Sequence, residues 1–279
     1  MDWYFDHNVY HHLLDNGPSA PDLSRALRAR GARVIIGEHN SHEAISCWKR
    51  GKPETVERGQ RLIRYAMELA PARLLLPTPR LIRFEIAPII GNAVPGPFLD
   101  PESEALTRER LLRFAAGDLR EEDLANLERL WRAKEEERDL HDHLRRNGLY
   151  DGRRSADDFE AFVAQNRELA RAIAQHIVCR HLTEMGERER RKTAKMAAAR
   201  HGKCPALRAA VRANLFLNHR LMQGKKTRHD VWDDLYHCIS ATYADVFVTG
   251  DGDLGDYFRQ INPERKVIGL GEFRDRLGI

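Results

Sequence analysis

The segment from Val231 to Leu254 constrains the fold more than any other part of the chain. Its sequence, VWDDLYHCISATYADVFVTGDGDL, predicts a helix over residues 230–244, a buried strand over 245–249 and an acidic loop over 250–253. A short apolar strand that follows a helix is typical of an α/β sheet. The loop comes at the carboxyl end of that strand, which is where open α/β sheets bind their ligands.

Polar and acidic side chains recur at the ends of these predicted elements. They are Asp230, Asp234 and His237 on one face of the helix, Asp251 and Asp253 in the loop, and Asp6 with Asn8 after the apolar opening run WYFDHNVYHHLL. Carboxylates that meet in space repel one another unless a cation neutralises them. The pattern therefore predicts a divalent-metal site.

The rest of the chain shows two different sequence patterns. Apolar runs predict strands at 33–38 and within 266–273, separated by helices, which favours an α/β fold with a central parallel sheet. Residues 101–228 instead read as almost wholly helical. The predicted organisation is an α/β domain split between 1–100 and 229–279, with an all-α insertion at 101–228.

A short helix is predicted after the second strand. Ser41 is placed to cap it, and Glu43 then lies in its first turn. Acidic residues are favoured there by the helix dipole whatever their function. The competing interpretation of Glu43 is therefore a purely structural one.

Composition sets outer bounds on the function. The net charge of +4 across 279 residues is too small to require an anionic partner by itself. The cysteines form no C-x-x-C pair, which argues against a zinc knuckle. We expect no membrane span, because no run approaches the length of an apolar transmembrane segment, and a cytoplasmic location is expected.

Four short motifs, in order, resemble those of the PIN-domain nucleases, a family of metal-dependent RNases. They are FDHNV at the opening strand, SHEAI after the second strand, DLYHCISATYAD in the helix before residue 245, and FVTGDGDL at the loop. The resemblance implies a PIN-like three-layer α/β/α domain that cleaves RNA with bound Mg²⁺ or Mn²⁺. It also implies the partners of that family's toxin branch, namely an RNA substrate and a neutralising antitoxin protein.

The resemblance also implies roles for particular residues. Asp6, Glu43, Asp234 and Asp251 would carry catalysis; Asp6, Asp234, Asp251 and Asp253 would hold the metal; and Asn8, His237 and Thr249 would support them. The long insertion leaves the second acid open, because Glu85 in RLIRFEI is an alternative to Glu43. Purely structural roles are alternatives to these functional ones at two further places. Asp6 fits a helix N-cap, and the pair at 251 and 253 fits an Asx turn.

A basic stretch in the insertion is the second candidate for function. Between residues 188 and 228 the single acid is Glu189, and this pattern is typical of phosphate contacts. The predicted nucleic-acid contacts are Arg188, Arg190, Arg191, Lys192, Lys195, Arg200, Lys203, Lys225, Lys226 and Arg228. The acid-rich stretch 102–142 is expected either to pair with these residues or to mediate self-association, for example as a homodimer.

Two other functions compete with the nuclease interpretation. A catalytically degenerate PIN scaffold would bind RNA or protein without cleaving it. A phosphatase of the haloacid dehalogenase type also opens with an aspartate after its first strand and ends with a Gly-Asp loop. Such a phosphatase normally carries a second aspartate where this chain has Asn8.

Overall fold

The structure is a computed structural model of the full chain. It describes residues 1–69, 73–92, 96–126, 158–225 and 231–279, with isolated positions at 128, 129, 132 and 135; for 47–50 it describes the backbone alone. The elements in the amino-terminal part are β1 (Asp2–Phe5), α1 (His7–Asn16), α2 (Ala20–Ala29), β2 (Arg33–Ile36), α3 (Glu38–Arg50), α4 (Pro53–Glu68), β3 (Arg73–Leu74) and α5 (Thr78–Ile86).

Helices dominate the middle of the chain, and the sheet resumes at its end. The helices are α6 (Pro101–Ala116), α7 (Phe159–Gln165), α8 (Arg167–His181), α9 (Glu187–Ala199), α10 (Pro205–Met222) and α11 (Val231–Ser240). They are followed by β4 (Val246–Thr249), α12 (Gly252–Ile261), β5 (Lys266–Gly269) and α13 (Leu270–Leu277).

The five strands form one parallel sheet in the order β3-β2-β1-β4-β5. Trp3 of β1 pairs with Val34 of β2 on one side and with Val246 of β4 on the other. Tyr4 and Phe247 are fully buried, as expected for strands of a parallel sheet that is covered on both faces. The predicted α/β class with a central parallel sheet is confirmed, and the sheet is compatible with a three-layer α/β/α arrangement.

The strand order reverses between β1 and β4. From β1 the chain moves outward through β2 and β3, and it returns to the other side of β1 with β4. In open α/β sheets the loops diverge at such a point and leave a crevice at the carboxyl ends of the strands. Asp6 directly follows β1, and Gly250 directly follows β4, so two of the predicted motifs end at this crevice.

The middle helices pack into the same hydrophobic core as the sheet. Phe114 of α6, Ala174 of α8 and Leu215 of α10 belong to one buried cluster with Phe247 of β4. The predicted helical character of 101–228 is confirmed where the structure describes it. The domain boundaries stay a prediction.

The predicted start of α3 was wrong. The helix begins at Glu38, so Ser41 lies inside it and does not cap it, and Glu43 lies in the second turn. The cause is Asn40, whose Oδ1 accepts a hydrogen bond from the Gly37 amide (3.0 Å) and whose Nδ2 donates to the Phe5 carbonyl (2.9 Å). The first bond satisfies an amide at the helix entrance, as a capping-box residue does.

The acidic loop after β4 is shorter than predicted. Helix α12 begins at Gly252, and Asp251 is its N-cap. Asp253 therefore lies in the first helical turn and not in a loop. No helix in the described parts of the chain has both the length and the apolar character needed to cross a bilayer.

Candidate functional site

Asp6 lies buried at the carboxyl end of β1, with 1% of its surface exposed. Its Oδ1 accepts a hydrogen bond from the Val9 amide (2.7 Å) and thereby caps α1. Its Oδ2 accepts a hydrogen bond from the Thr249 hydroxyl at the end of β4. The Asp6 side chain therefore both caps α1 and lies at the crevice between β1 and β4.

Thr249 links Asp6 to the acidic turn. Its Oγ1 accepts a hydrogen bond from the Asp251 amide at 2.9 Å, so the turn after β4 is fixed relative to Asp6. The Asp251 carboxylate accepts hydrogen bonds from the amides of Asp253 (2.8 Å) and Leu254 (3.2 Å). Asp251 thus caps α12, and Thr249 has the supporting position that the sequence predicts for it.

Glu43 and His237 meet across α3 and α11. His237 Nε2 lies 2.6 Å from Glu43 Oε2, and its Nδ1 lies 2.9 Å from the hydroxyl of Tyr4 on β1. Gly37 makes this approach possible, because a Cβ there would lie 2.9 Å from the Tyr4 hydroxyl. His237 is therefore held at both ring nitrogens, between the sheet and α3.

The charges of three predicted acids act on His237. Burial by itself lowers the pKa of this imidazole, but the negative charges of Glu43, Asp6 and Asp234 outweigh that effect and raise the pKa above its usual value. The negative charges of acids at the end of β1, on α3 and on α11 therefore all act on one buried histidine.

The pKa values of Asp6 and the half-buried Glu43 shift in opposite directions. Burial raises the pKa of Asp6, although the hydrogen bonds from Thr249 and Val9 oppose this. Burial would also raise the pKa of Glu43, but the positive charge of His237, with smaller contributions from His39 and His7, lowers it to about 2. Glu43 is therefore an ionised carboxylate, whereas Asp6 lacks comparable neutralisation by the protein itself.

Glu85 is not part of this cluster. Its carboxylate accepts hydrogen bonds from the amides of Ala206 (2.6 Å) and Leu207 (2.9 Å) at the amino end of α10, and from the Tyr243 hydroxyl. It therefore stabilises a helix end. Glu43, which contacts His237, is the acid that lies with Asp6.

Several residues near the predicted acids went unrecognised in the sequence. His39 is buried, lies 2.9 Å through Nε2 from Asp233 Oδ1, and packs edge-on against the His237 ring at 4.9 Å. His7 Nδ1 lies 3.9 Å from Glu43 Oε2. The signal for His39 was its spacing of four from Glu43, which places both on one helical face. Placing the helix start at Ser41 concealed that spacing.

One group of described residues has the geometry to hold a metal ion. His39, Glu43 and His237 each offer a ligand atom, and these atoms lie within 4.8 Å of one another. The predicted ligands Asp6, Asp234, Asp251 and Asp253 are not members of that group, and as a ligand set they stay a prediction. Asn8 and Asp253 are exposed, and Asp230 lies outside the described residues.

The predicted nucleic-acid contacts lie mainly on α9 and the turn that follows it. Exposed members are Arg188, Arg191, Lys192, Lys195, Arg200, Lys203 and Lys225, whereas Arg190 is half-buried, and Lys226 and Arg228 lie outside the described residues. Arg191 pairs with Glu187 of its own helix at 2.5 Å. The basic face of α9, defined by Arg188, Lys192 and Lys195, is thus directed to solvent.

A cavity of about 740 Å³ lies at the ends of β2 and β3. Its walls come from α3, α6 and the start of α5, and they are mostly apolar, with Arg80, Arg110 and Arg129 among them. Ser41 and His42 line it, but Asp6, Glu43 and His237 do not. The cavity therefore neighbours the acid cluster across α3 without containing it.

Comparison with known proteins gives no family assignment. No protein-family model matches the chain, and neither the curated proteins nor the solved structures contain a significant match.

Proposed function

We propose that this chain is a PIN-like, metal-dependent ribonuclease that hydrolyses phosphodiester bonds at the carboxyl edge of β1 and β4. The observation that carries the proposal is the convergence of Asp6, Glu43 and Asp234 on buried His237. These acids come from three separate segments of the chain. Their position at the strand-order reversal is where α/β proteins bind ligands.

The donor set fits a hard divalent cation. Asp6, Glu43, Asp234 and Asp251 offer carboxylate oxygens, which Mg²⁺ and Mn²⁺ accept readily. The raised pKa of Asp6 supports the fit, because a buried carboxylate with too little positive charge around it is stabilised by a cation. A bound Mg²⁺ or Mn²⁺ supplies an activated water and neutralises charge that develops on the phosphate.

The chain's own residues hold these acids in position. Thr249 donates a hydrogen bond to Asp6 Oδ2, and His237 contacts Glu43 Oε2, so each carboxylate is held in orientation by a side chain from another segment. Such partners of metal-binding groups fix orientation and raise metal affinity. Thr249 and His237 are therefore positioning residues in this proposal.

RNA is the proposed substrate because a basic surface accompanies the acids in the same chain. Arg188, Lys192 and Lys195 form an exposed face on α9, and Lys and Arg side chains contact nucleic-acid phosphates without reading sequence. This surface would supply salt-sensitive affinity, and the acid site would supply the cleavage.

The test is cleavage of a labelled RNA by the full chain with Mg²⁺, with Mn²⁺ or with a chelator. Asp6→Asn removes the negative charge, while the amide oxygen can still accept from the Val9 amide and cap α1. We expect the cleavage rate to fall by at least about 100-fold, since losing even a partner of a metal ligand costs 10–100-fold. Asp15→Asn is the matched control, because Asp15 lies exposed on the same helix and pairs with Arg58.

The same assay separates the competing functions. Metal-dependent cleavage that persists in Asp15→Asn and is lost in Asp6→Asn supports the nuclease. RNA binding without cleavage in any metal would point to a scaffold, and release of phosphate from monoesters would point to a phosphatase. Either of these last two results would contradict the proposal.

A further inference from the structure

Two helices bring a pair of histidines to one carboxylate. His39 and Glu43 are four residues apart on α3 and share a face, and His237 approaches from α11. Their ligand atoms lie within 4.8 Å of one another. His39 and His237 are 5% and 1% exposed, so these imidazoles lie in the protein interior.

Contacts outside this group orient both histidines. The Tyr4 hydroxyl lies 2.9 Å from His237 Nδ1, and Asp233 Oδ1 lies 2.9 Å from His39 Nε2. Tyr236 stacks on His39 with ring centroids 5.3 Å apart. The Tyr4 hydroxyl at Nδ1 of His237 is the usual arrangement for a histidine that binds metal through its other ring nitrogen, and the stack on Tyr236 fixes the plane of the His39 ring.

An ion pair alone does not account for this arrangement. Glu43 and His237 would suffice for a salt bridge, yet His39 joins the same group and brings its own carboxylate partner, Asp233. The Glu43 side chain keeps 21% of its surface exposed, which gives an ion a route to the group from solvent.

We propose that His39, Glu43 and His237 form a binding site for a divalent transition-metal ion that prefers imidazole ligands. Imidazole nitrogen suits Zn²⁺, Fe²⁺ and Co²⁺, whereas Mg²⁺ takes oxygen ligands and dehydrates reluctantly. This site differs from the proposed carboxylate site in its two imidazole donors and shares Glu43 with it. Ion binding is measured without RNA, so this inference and the proposed function can fail separately.

The experiment titrates Co²⁺ into full-length chain that has been stripped of metal by a chelator. Visible ligand-field absorption reports Co²⁺ in a nitrogen-containing site, and excess Mg²⁺ tests selectivity. We expect one saturable site whose absorption survives the excess of Mg²⁺. In His39→Ala the dissociation constant for Co²⁺ should rise at least about 10-fold.

His176→Ala is the matched control, because His176 is an exposed histidine of α8 and lies outside the group. It is expected to bind Co²⁺ as the unchanged chain does. Three results would overturn the inference: no visible absorption beyond that of free Co²⁺ in the unchanged chain, unaltered affinity in His39→Ala, or an equal loss in His176→Ala. A chain that binds Co²⁺ but cleaves no RNA would support the metal site and contradict the nuclease.

A second measurement uses the unchanged chain alone, so the inference stays testable even if His39→Ala fails to fold. Proton NMR of the Co²⁺-loaded unchanged chain shows hyperfine-shifted, exchangeable imidazole N–H signals, one for each bound histidine. Two such signals support the site. Any other number contradicts it.

Discussion

His237 determines the electrostatic character of the proposed centre at the level of single residues. It contacts Glu43 directly, and Asp6 and Asp234 raise its pKa further. Tyr4 occupies its other ring nitrogen and comes from the central strand of the sheet. Any change that moves Tyr4 is therefore expected to disturb the acids through His237.

Gly37 offers a direct test of that dependence. A Cβ at this position would lie 2.9 Å from the Tyr4 hydroxyl and 3.2 Å from Ser240 Cβ, so Gly37→Ala must displace the tyrosine. We expect a loss of about 1–3 kcal/mol in the free energy of unfolding, as for other overpacked sites. RNA cleavage should fall with it. Urea unfolding and the cleavage assay measure the two effects.

The matched control is Gly250→Ala at the same edge of the sheet. A Cβ there would meet only Asn8 Cβ at 3.9 Å, an ordinary contact distance. If Gly250→Ala lowered stability as much as Gly37→Ala, the close packing of Tyr4 would not be the cause.

Some of these residues were predictable from sequence, and others were not. Asp6 and Asp251 follow apolar strands directly, so their placement at the carboxyl edge follows from strand prediction and sheet topology. Tyr4 lies within a strand and resembles an ordinary core residue in the sequence. Its contact with His237 joins residues 233 positions apart, and no local pattern encodes such a pairing.

At the level of elements, a polar contact joins α1 to α4. Arg58 Nε of α4 donates to His11 Nδ1 of α1 at 2.7 Å, and the same guanidinium pairs with Asp15. His11 Nε2 lies 3.0 Å from His7 Nε2. Because Arg58 needs an acceptor, this arrangement requires His11 to be neutral.

The stability of this α1–α4 contact is expected to depend on pH. Burial, followed by the charges of His7 and Arg58, lowers the pKa of His11 to about 4. An unfolded histidine binds its proton near pH 6.5. As pH falls from about 6.5 towards about 4, the unfolded chain therefore gains the proton first, and stability is lost over that window.

His11→Asn should flatten that pH dependence, because the asparagine oxygen can accept from Arg58 and does not titrate. Urea unfolding between about pH 7 and about pH 4.5 measures the difference from the unchanged chain. His176→Asn, at an exposed histidine of α8, is the control and should follow the unchanged chain. Parallel pH profiles for all three proteins would rule out a role for His11.

Element prediction succeeded where local pattern was sufficient and failed where side chains from elsewhere intervened. The strands predicted from the apolar runs at 33–38 and within 266–273 are confirmed as β2 and β5. The start of α3 was wrong because Asn40 contacts Phe5 of β1. Helix α12 was not predicted, because the run GDGD at 250–253, which includes its first two residues, has the composition of a loop.

At the scale of the whole molecule, the acids and the basic face lie in different parts of the sequence. The acids lie next to the sheet, at the N-cap of α1 and on α3 and α11, whereas Arg188, Lys192 and Lys195 belong to α9. Arg191 pairs with Glu187 on α9 itself, and the predicted pairing of the acid-rich stretch with this face stays a prediction, because much of 102–142 lies outside the described residues. The proposed division is therefore RNA affinity from the middle helices and cleavage from the sheet.

Replacing Lys192 and Lys195 together with glutamine tests this division. We expect weaker binding to RNAs of every sequence, and a plot of log affinity against log salt that is shallower by about 0.7 for each lost phosphate contact. Fluorescence anisotropy at several salt concentrations measures both quantities.

The control for this change is Arg25→Gln with Arg28→Gln, which removes the same charge from the exposed side of α2. If the two double variants lost affinity equally, net charge rather than the basic face of α9 would explain RNA binding.

The central claim is that acids from distant parts of the chain share one divalent ion at the carboxyl edge of β1 and β4. Anomalous X-ray scattering from crystals of the full chain soaked in Mn²⁺ tests it most directly. We predict an anomalous peak with an Asp6 carboxylate oxygen at about 2.0–2.3 Å, the range for such ions with oxygen ligands. Mn²⁺ density found only away from Asp6, or none at saturating Mn²⁺, would contradict the account.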